Sequence, residues 1–188
     1  MDFSKAREIQ FEKPEIIKPT FENYSALPYL GKNCDLKVID VFDKSEERIE
    51  YFNNVFSIYL DKKKEIKPIN KIISLYNDWL VSQATQIFNE KINKYSEIID
   101  VKPSKIIVKN LKNRWGSITK NKTVNLNVNL IKAPEDIIDY IVIHELCHLK
   151  IKGHSYLFWD YLKQFMPDYE KKIKWLSRNS NSLMPRDS

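Results

Sequence analysis

Residues 144–148 read His-Glu-Leu-Cys-His, and the residues around them decide what that string becomes. Upstream, Pro134 sits where a first helical turn tolerates proline, and Glu135 and Asp136 follow where acids suit the helix dipole. Downstream, Lys150 and Lys152 precede Gly153, a stop signal. The string therefore lies inside a predicted helix. Four residues advance a helix by ~400° and ~6 Å, so His144 and His148 project from one face, one turn apart, within reach of one metal ion. Glu145 lies ~100° round from His144, beside such an ion rather than on it, which is where a general base belongs.

Chance explains this poorly. With three histidines and 13 glutamates in 188 residues, a shuffled chain would contain HExxH about 0.003 times. The remaining histidine, His154, follows His148 by six residues, just past the Gly153 that lets the backbone fold back. Three imidazoles with one open position suit a catalytic zinc, since structural zinc sites are closed by a fourth protein ligand. One zinc ion per chain on His144, His148 and His154 is therefore expected. Zinc lowers the pKa of its water to ~7, and Glu145 can take that proton and pass it to a leaving group. Cys147 points ~100° away from His148 and reads as small buried packing.

Outward from this helix the chain divides into three parts. Residues 1–65 read as a β-rich N-terminal part, a small antiparallel meander: apolar residues alternate at Leu36 and Val38 and at Phe56, Ile58 and Leu60, with turn-formers at Asp43 to Glu47 and at Asn53-Asn54. Residues 66–176 read as the catalytic part. It opens at Pro68 with a long amphipathic helix (Ile72, Tyr76, Leu80, Ala84, Phe88) that ends before Pro103. Strands are predicted over Lys105 to Leu111 and Thr123 to Leu130, the second with Val124, Leu126, Val128 and Leu130 on one face and asparagines on the other. Past the histidines, Tyr156 to Phe165 and Asp168 to Leu176 read as helices broken by Pro167, and residues 177–188 as a disordered tail. The expected fold class is α+β.

Composition narrows the function classes. A hydrophobic share of 43% supports a real core, and 30% charged residues keep the surface in water. No apolar run approaches the ~20 residues of a spanning helix, and Met1 to Lys18 mixes acids, lysines and prolines where a signal peptide needs an apolar stretch, so a cytoplasmic protein without a membrane partner is expected. Two cysteines, Cys34 and Cys147, form no CxxC pattern and fit a reducing compartment. The net charge of +6 admits a nucleotide or nucleic acid as partner, but only five of the 31 cationic residues are arginines, the type that grips phosphate bidentately.

Several stretches together resemble the YgjP-like metallopeptidase family: Asn113-Arg114-Trp115-Gly116-Ser117, Asn125-Leu126-Asn127 with Leu130 and Ala133-Pro134, Ile138 through Leu149, His154-Ser155, Phe158-Trp159, and Pro167-Asp168-Tyr169 through Trp175-Leu176. Tyr29-Leu30-Gly31 and the region of Trp79 extend the likeness to about three quarters of the chain. The family is grouped with SprT-like and WLM zinc peptidases. The resemblance implies a zincin-like domain with His144, His148 and His154 as ligands and Glu145 as base. Where the family commonly has cysteine after Trp-Gly-Ser, this chain has Ile118. A metzincin would want glycine three residues after His148, where Ile151 stands.

The expected activity is therefore zinc-dependent hydrolysis, foremost of peptides or proteins. Hydrolysis of a nucleoside triphosphate and a nucleic-acid-associated SprT-like protease are the alternatives. Three further residues are candidates for substrate contact: Arg114 as a cation near a developing oxyanion, Asn127 as an amide along an extended substrate, and Tyr156 as an oxyanion donor. Oligomeric state leaves no mark on the sequence.

Overall fold

A computed structural model describes residues 26–61 and 68–184. The expected meander N-terminal to Ala26, the charged run 62–67 and the last four residues of the expected tail lie outside the described residues. The architecture is mixed α+β, with two sheets and four α-helices among the described residues. None of the described helices is long and apolar enough to cross a membrane.

The apolar stripe read from the sequence builds the longest element, α1 (Pro68–Ile99), ~48 Å of helix. Ile72, Tyr76, Leu80, Ala84, Phe88 and Ile92 recur every fourth residue and are all buried. Asp100 takes a positive φ of 54° and Val101 N–H donates to the Ser96 carbonyl at 2.9 Å, closing the helix ahead of Pro103.

The first sheet holds β1 (Leu27–Tyr29), β2 (Lys32–Asp40), β3 (Arg48–Phe52) and β4 (Val55–Leu60) in the order β1-β2-β4-β3. Asn53 and Asn54, both at positive φ, turn β3 into β4 as a hairpin. The expected antiparallel meander is corrected at its centre. β4 inserts between β2 and β3 and runs parallel to β2, from Asp35 opposite Val55 to Asp40 opposite Leu60. Strand composition accounts for the order: Phe56, Ile58 and Leu60 are fully buried in β4, whereas β3 carries Arg48 and Glu50 on its outer face and suits an edge. An aromatic cluster of Tyr29, Tyr51, Phe56, Tyr76 and Trp79, with centroids 4.8–6.2 Å apart, packs this sheet on α1.

The second sheet has the order β5-β7-β6: β5 (Lys105–Lys109), β6 (Gly116–Ile118) and β7 (Thr123–Asn127). β6 has no counterpart in the expected elements, being three residues long and begun by glycine. β7 stops at Asn127, short of the expected Leu130, because the Asn127 carboxamide oxygen accepts from Asn129 N–H at 3.0 Å and caps a 3-10 turn over Val128–Lys132.

Next comes α2 (Glu135–Cys147), which carries His144 and Glu145 and has Pro134 in the capping position. Ile137, Ile138, Tyr140, Ile141, Val142, Ile143, Leu146 and Cys147 are all buried, so this helix has no solvent face to spare. Lys91 pairs with Asp139 at 2.7 Å and ties α1 to it. Lys172 pairs with Asp136 at 2.8 Å and ties on α4 (Tyr169–Leu183), while α3 (Tyr156–Phe165) precedes α4. α4 continues through Ser177 to a fully buried Leu183, which corrects the disorder expected there. Leu176, Asn179 and Leu183 keep helical spacing within an otherwise polar stretch, too sparse a signal to read from sequence.

The turn from β1 to β2 docks on the start of α2. Leu30 and Gly31 N–H groups donate to the Ile131 and Lys132 carbonyls, both at 3.0 Å, and Gly31 holds φ at 77° with Pro134 against it. A methyl at Gly31 would stand 2.7 Å from Pro134 Cγ, whereas Gly153, also at φ 77°, faces open space. Gly31→Ala should cost about 2–4 kcal/mol of unfolding free energy in urea titration, and Gly153→Ala only about 1. Equal losses would show that Pro134 yields freely.

Candidate metal centre

The last turn of α2 and the loop after it gather the chain's three histidines. His144 lies on the helix, His148 is the residue after its end, and the turn through Gly153 brings His154 back. The three Nε2 atoms stand 3.2 Å (His144–His148), 3.2 Å (His148–His154) and 3.0 Å (His144–His154) apart. Two nitrogens on one tetrahedral zinc, each bonded at ~2.0–2.1 Å, sit ~3.3 Å apart, so the donor set fits that ion. It is also the only grouping of three metal-binding side chains among the described residues.

Hydrogen bonding aims these nitrogens inward. His148 Nδ1 lies 3.1 Å from the Ile151 carbonyl, which can only accept, so Nδ1 carries the proton and Nε2 the lone pair. Tyr140, one turn before His144, places its hydroxyl 3.5 Å from His144 Nδ1. Buried Phe158 stacks its ring on His148 at 4.3 Å, and Trp159 Nε1–H donates to the His154 carbonyl at 3.1 Å. Burial, then the neighbouring His148 and His154, push the His144 pKa down to about 3, and burial lowers His148 as well. Neutral imidazole is the form that binds a metal.

Glu145 is 7% exposed and rests on the backbone of β6. A methyl at Gly116 would lie 2.6 Å from Glu145 Cγ and Oε1, so only glycine lets the carboxyl group in. Burial raises the Glu145 pKa to about 7, against the opposing charge of Arg114. A carboxyl group poised there can both accept and return a proton near neutrality.

Histidines, Glu145 and Arg114 share one cleft of about 850 Å³, walled by residues 114–120, by Tyr140 and Ile141 of α2, and by Ile173, Leu176 and Ser177 of α4. The structure does not bring the other two substrate candidates into this cleft. Asn127 is fully buried in the central strand of its sheet, its amide donating to the Leu111 and Arg114 carbonyls at 2.7 and 3.0 Å; it pins the loop that carries Arg114. Tyr156 is 80% exposed and does not line the cleft. Cys147 is fully buried, and burial pushes its thiol up to about 12, in keeping with a packing role. Sequence reasoning passed over Tyr140 and Gly116. The i to i+4 step from Tyr140 to His144 was a usable signal; the fit of Gly116 on Glu145 was not, because it joins elements distant in sequence.

The model of one protein family, the YgjP-like metallopeptidase domain, matches residues 4–179. The chain belongs to that family. A metallopeptidase domain implies a catalytic metal, and the histidine cluster is a set of residues that can bind one. The search of curated proteins gives no match. Among solved structures, the zymogen of abylysin from Pyrococcus abyssi is 21% identical, with a TM-score of 0.45 over 50% of this chain and 95% of that one. The jannalysin zymogen of Methanocaldococcus jannaschii is 28% identical, with a TM-score of 0.42 over 47% of this chain and 94% of that one.

Opposite pH dependences follow for the metal-free protein. The folded pKa of Glu145 lies above its ordinary 4.5, so the stability it contributes is complete below pH 4.5 and is lost as pH rises toward about 7. His144 runs the other way: its contribution is complete above pH 6.5 and is lost as pH falls toward about 3. Glu145→Gln removes the first dependence and keeps the second. In thermal melts of metal-free protein, the Tm of Glu145→Gln minus that of the unsubstituted protein should therefore rise between pH 4.5 and 7. A flat difference would mean that Glu145 is not desolvated.

Proposed function

We infer that this protein is a zinc-dependent peptidase with a zincin-like catalytic domain, in which His144, His148 and His154 hold one zinc ion and Glu145 is the general base. The observation that carries this reading is the convergence of three Nε2 atoms within 3.2 Å, in one cleft with a buried carboxyl group. When bound, zinc supplies Lewis-acid chemistry, polarising a carbonyl and lowering the pKa of water. Glu145 takes a proton from the attacking water as its oxygen bonds to the peptide carbonyl carbon. The same carboxyl group returns that proton to the amide nitrogen as the C–N bond breaks. Arg114, in the same cleft, places a positive charge where the carbonyl oxygen gains negative charge.

β6 offers the substrate a place to lie. Asn127 N–H donates to the Trp115 carbonyl at 2.8 Å and Thr119 N–H to the Thr123 carbonyl at 3.0 Å, so residues 115, 117 and 119 turn their backbone groups toward β7. Gly116 and Ile118 then turn theirs toward the unpaired edge, and both line the cleft. An extended peptide pairing there would pass the histidines with its backbone aligned.

A second reading, hydrolysis of a nucleoside triphosphate, has one observation in its favour: Arg114, Lys120 and Lys152 all line the cleft. It leaves the apolar α4 wall without a purpose.

Metal analysis and hydrolysis of casein, short peptides and nucleoside triphosphates, run in parallel, test these readings. The zinc-loaded protein should cut peptide bonds. Glu145→Gln should keep one zinc per chain and lose about 10²- to 10⁴-fold in rate, while His154→Ala should lose the metal. Gly116→Ala should keep zinc and lose activity, because the added methyl displaces Glu145 rather than a histidine. Full zinc affinity in His154→Ala would place the third ligand elsewhere. Full activity in zinc-loaded Glu145→Gln would assign the proton transfer to another group.

A further inference from the structure

Three cations enter the cleft from three separate segments: Arg114 from the loop before β6, Lys120 from the β6–β7 hairpin, and Lys152 from the turn leading to His154. Apart from Glu145, no acidic side chain among the described residues lines the cleft. None of the three cations has an ion-pair partner among the described residues. This contrasts with Lys91 and Lys172, whose ammonium groups each meet two carboxylates. What sets Arg114, Lys120 and Lys152 apart is that they converge on one opening.

Another part of the lining is apolar. Tyr140 of α2 and Leu176 of α4, 4% and 7% exposed, form its base, and Ile173 stands beside them at 38%, one of the few large apolar side chains left open to solvent. Helices α2 and α4 pack together, so these residues form one wall of the cleft. A polar backbone edge, unpaired cations and an apolar wall meet in one opening.

We propose that the cleft selects peptides that present a carboxylate, from an acidic side chain or from a free C-terminus, close to a bulky apolar side chain. This rests on the peptidase reading above. A carboxylate entering the cleft replaces water around Lys120 and Lys152, with Arg114 beside them facing Glu145, and their joint field speeds encounter with acidic segments. A lysine- or arginine-rich segment meets like charge from three directions. The apolar neighbour is what the wall of Tyr140, Ile173 and Leu176 can bury.

The test uses zinc-loaded protein and one fluorogenic peptide frame with a central leucine, flanked by Glu, Gln or Lys, each made with a free and an amidated C-terminus. The carboxylate-bearing forms should show kcat/KM about tenfold or more above the Gln-amide and Lys-amide forms near 50 mM salt, with the gap shrinking at high salt. Replacing the leucine with serine should erase most of the advantage. A gap set by Glu against Gln identifies the side-chain carboxylate, and one set by free against amidated ends identifies the C-terminus. Lys120→Glu with Lys152→Glu should reverse the order. Equal rates for frames with and without a carboxylate, at the side chain and at the C-terminus alike, would overturn the proposal. If no frame is cut, the peptidase reading fails, and binding of the same peptides measured by fluorescence anisotropy still decides the preference: tighter binding of the carboxylate forms sustains it, and indifference refutes it.

Discussion

A helix buried on every side must deliver polar groups to a cleft at one end, and the rest of the fold answers that constraint. Along α2, apolar side chains meet α1, α3, α4 and the second sheet, while His144 and Glu145 emerge where the packing opens. Ion pairs from Lys91 and Lys172 reach its first turns, far from the histidines. Ion pairs outside the proposed site thus help to fix its position. Burial then supplies what the site needs: neutral imidazoles and a carboxyl group whose pKa is raised to about 7. A solvent-exposed helix with the same five residues would place them similarly and tune them not at all.

Around this helix, short contacts set the spacing. Gly116 lets β6 close on Glu145, Gly31 lets the first sheet close on Pro134, and Asn127 holds the loop carrying Arg114 by two carbonyls. Each is a small or amide residue at a place where two segments approach closely. None contributes much buried apolar area; their value lies in the distances they permit. The charged lining comes from loops instead, at Arg114, Lys120 and Lys152, where side chains can vary without disturbing α2.

What the sequence made legible follows from range. The stripe of α1, the Asn53-Asn54 turn and the HExxH spacing are local patterns with periods that chemistry imposes, and each could be read directly. The alternation was real only from Thr123 to Asn127, and its polar face did not imply water: Asn125 is 5% exposed and Asn127 fully buried, because the amides satisfy neighbouring backbone. Strand order in the first sheet, the three-residue β6 and the C-terminal half of α4 depend on partners far along the chain or on one or two anchors such as Leu183. Those carry no period. Of the proposed site, the groups within one helix and its following loop were readable, and the walls contributed by β6 and α4 were not.

The central claim is that three imidazoles, and no sulfur, hold one zinc ion. X-ray absorption at the zinc edge of the loaded protein measures this directly. The account predicts three imidazole nitrogens and one further light atom at ~2.0–2.1 Å, with Cys147 remaining a buried thiol. A zinc–sulfur distance near ~2.3 Å, or fewer than three imidazoles, would contradict it.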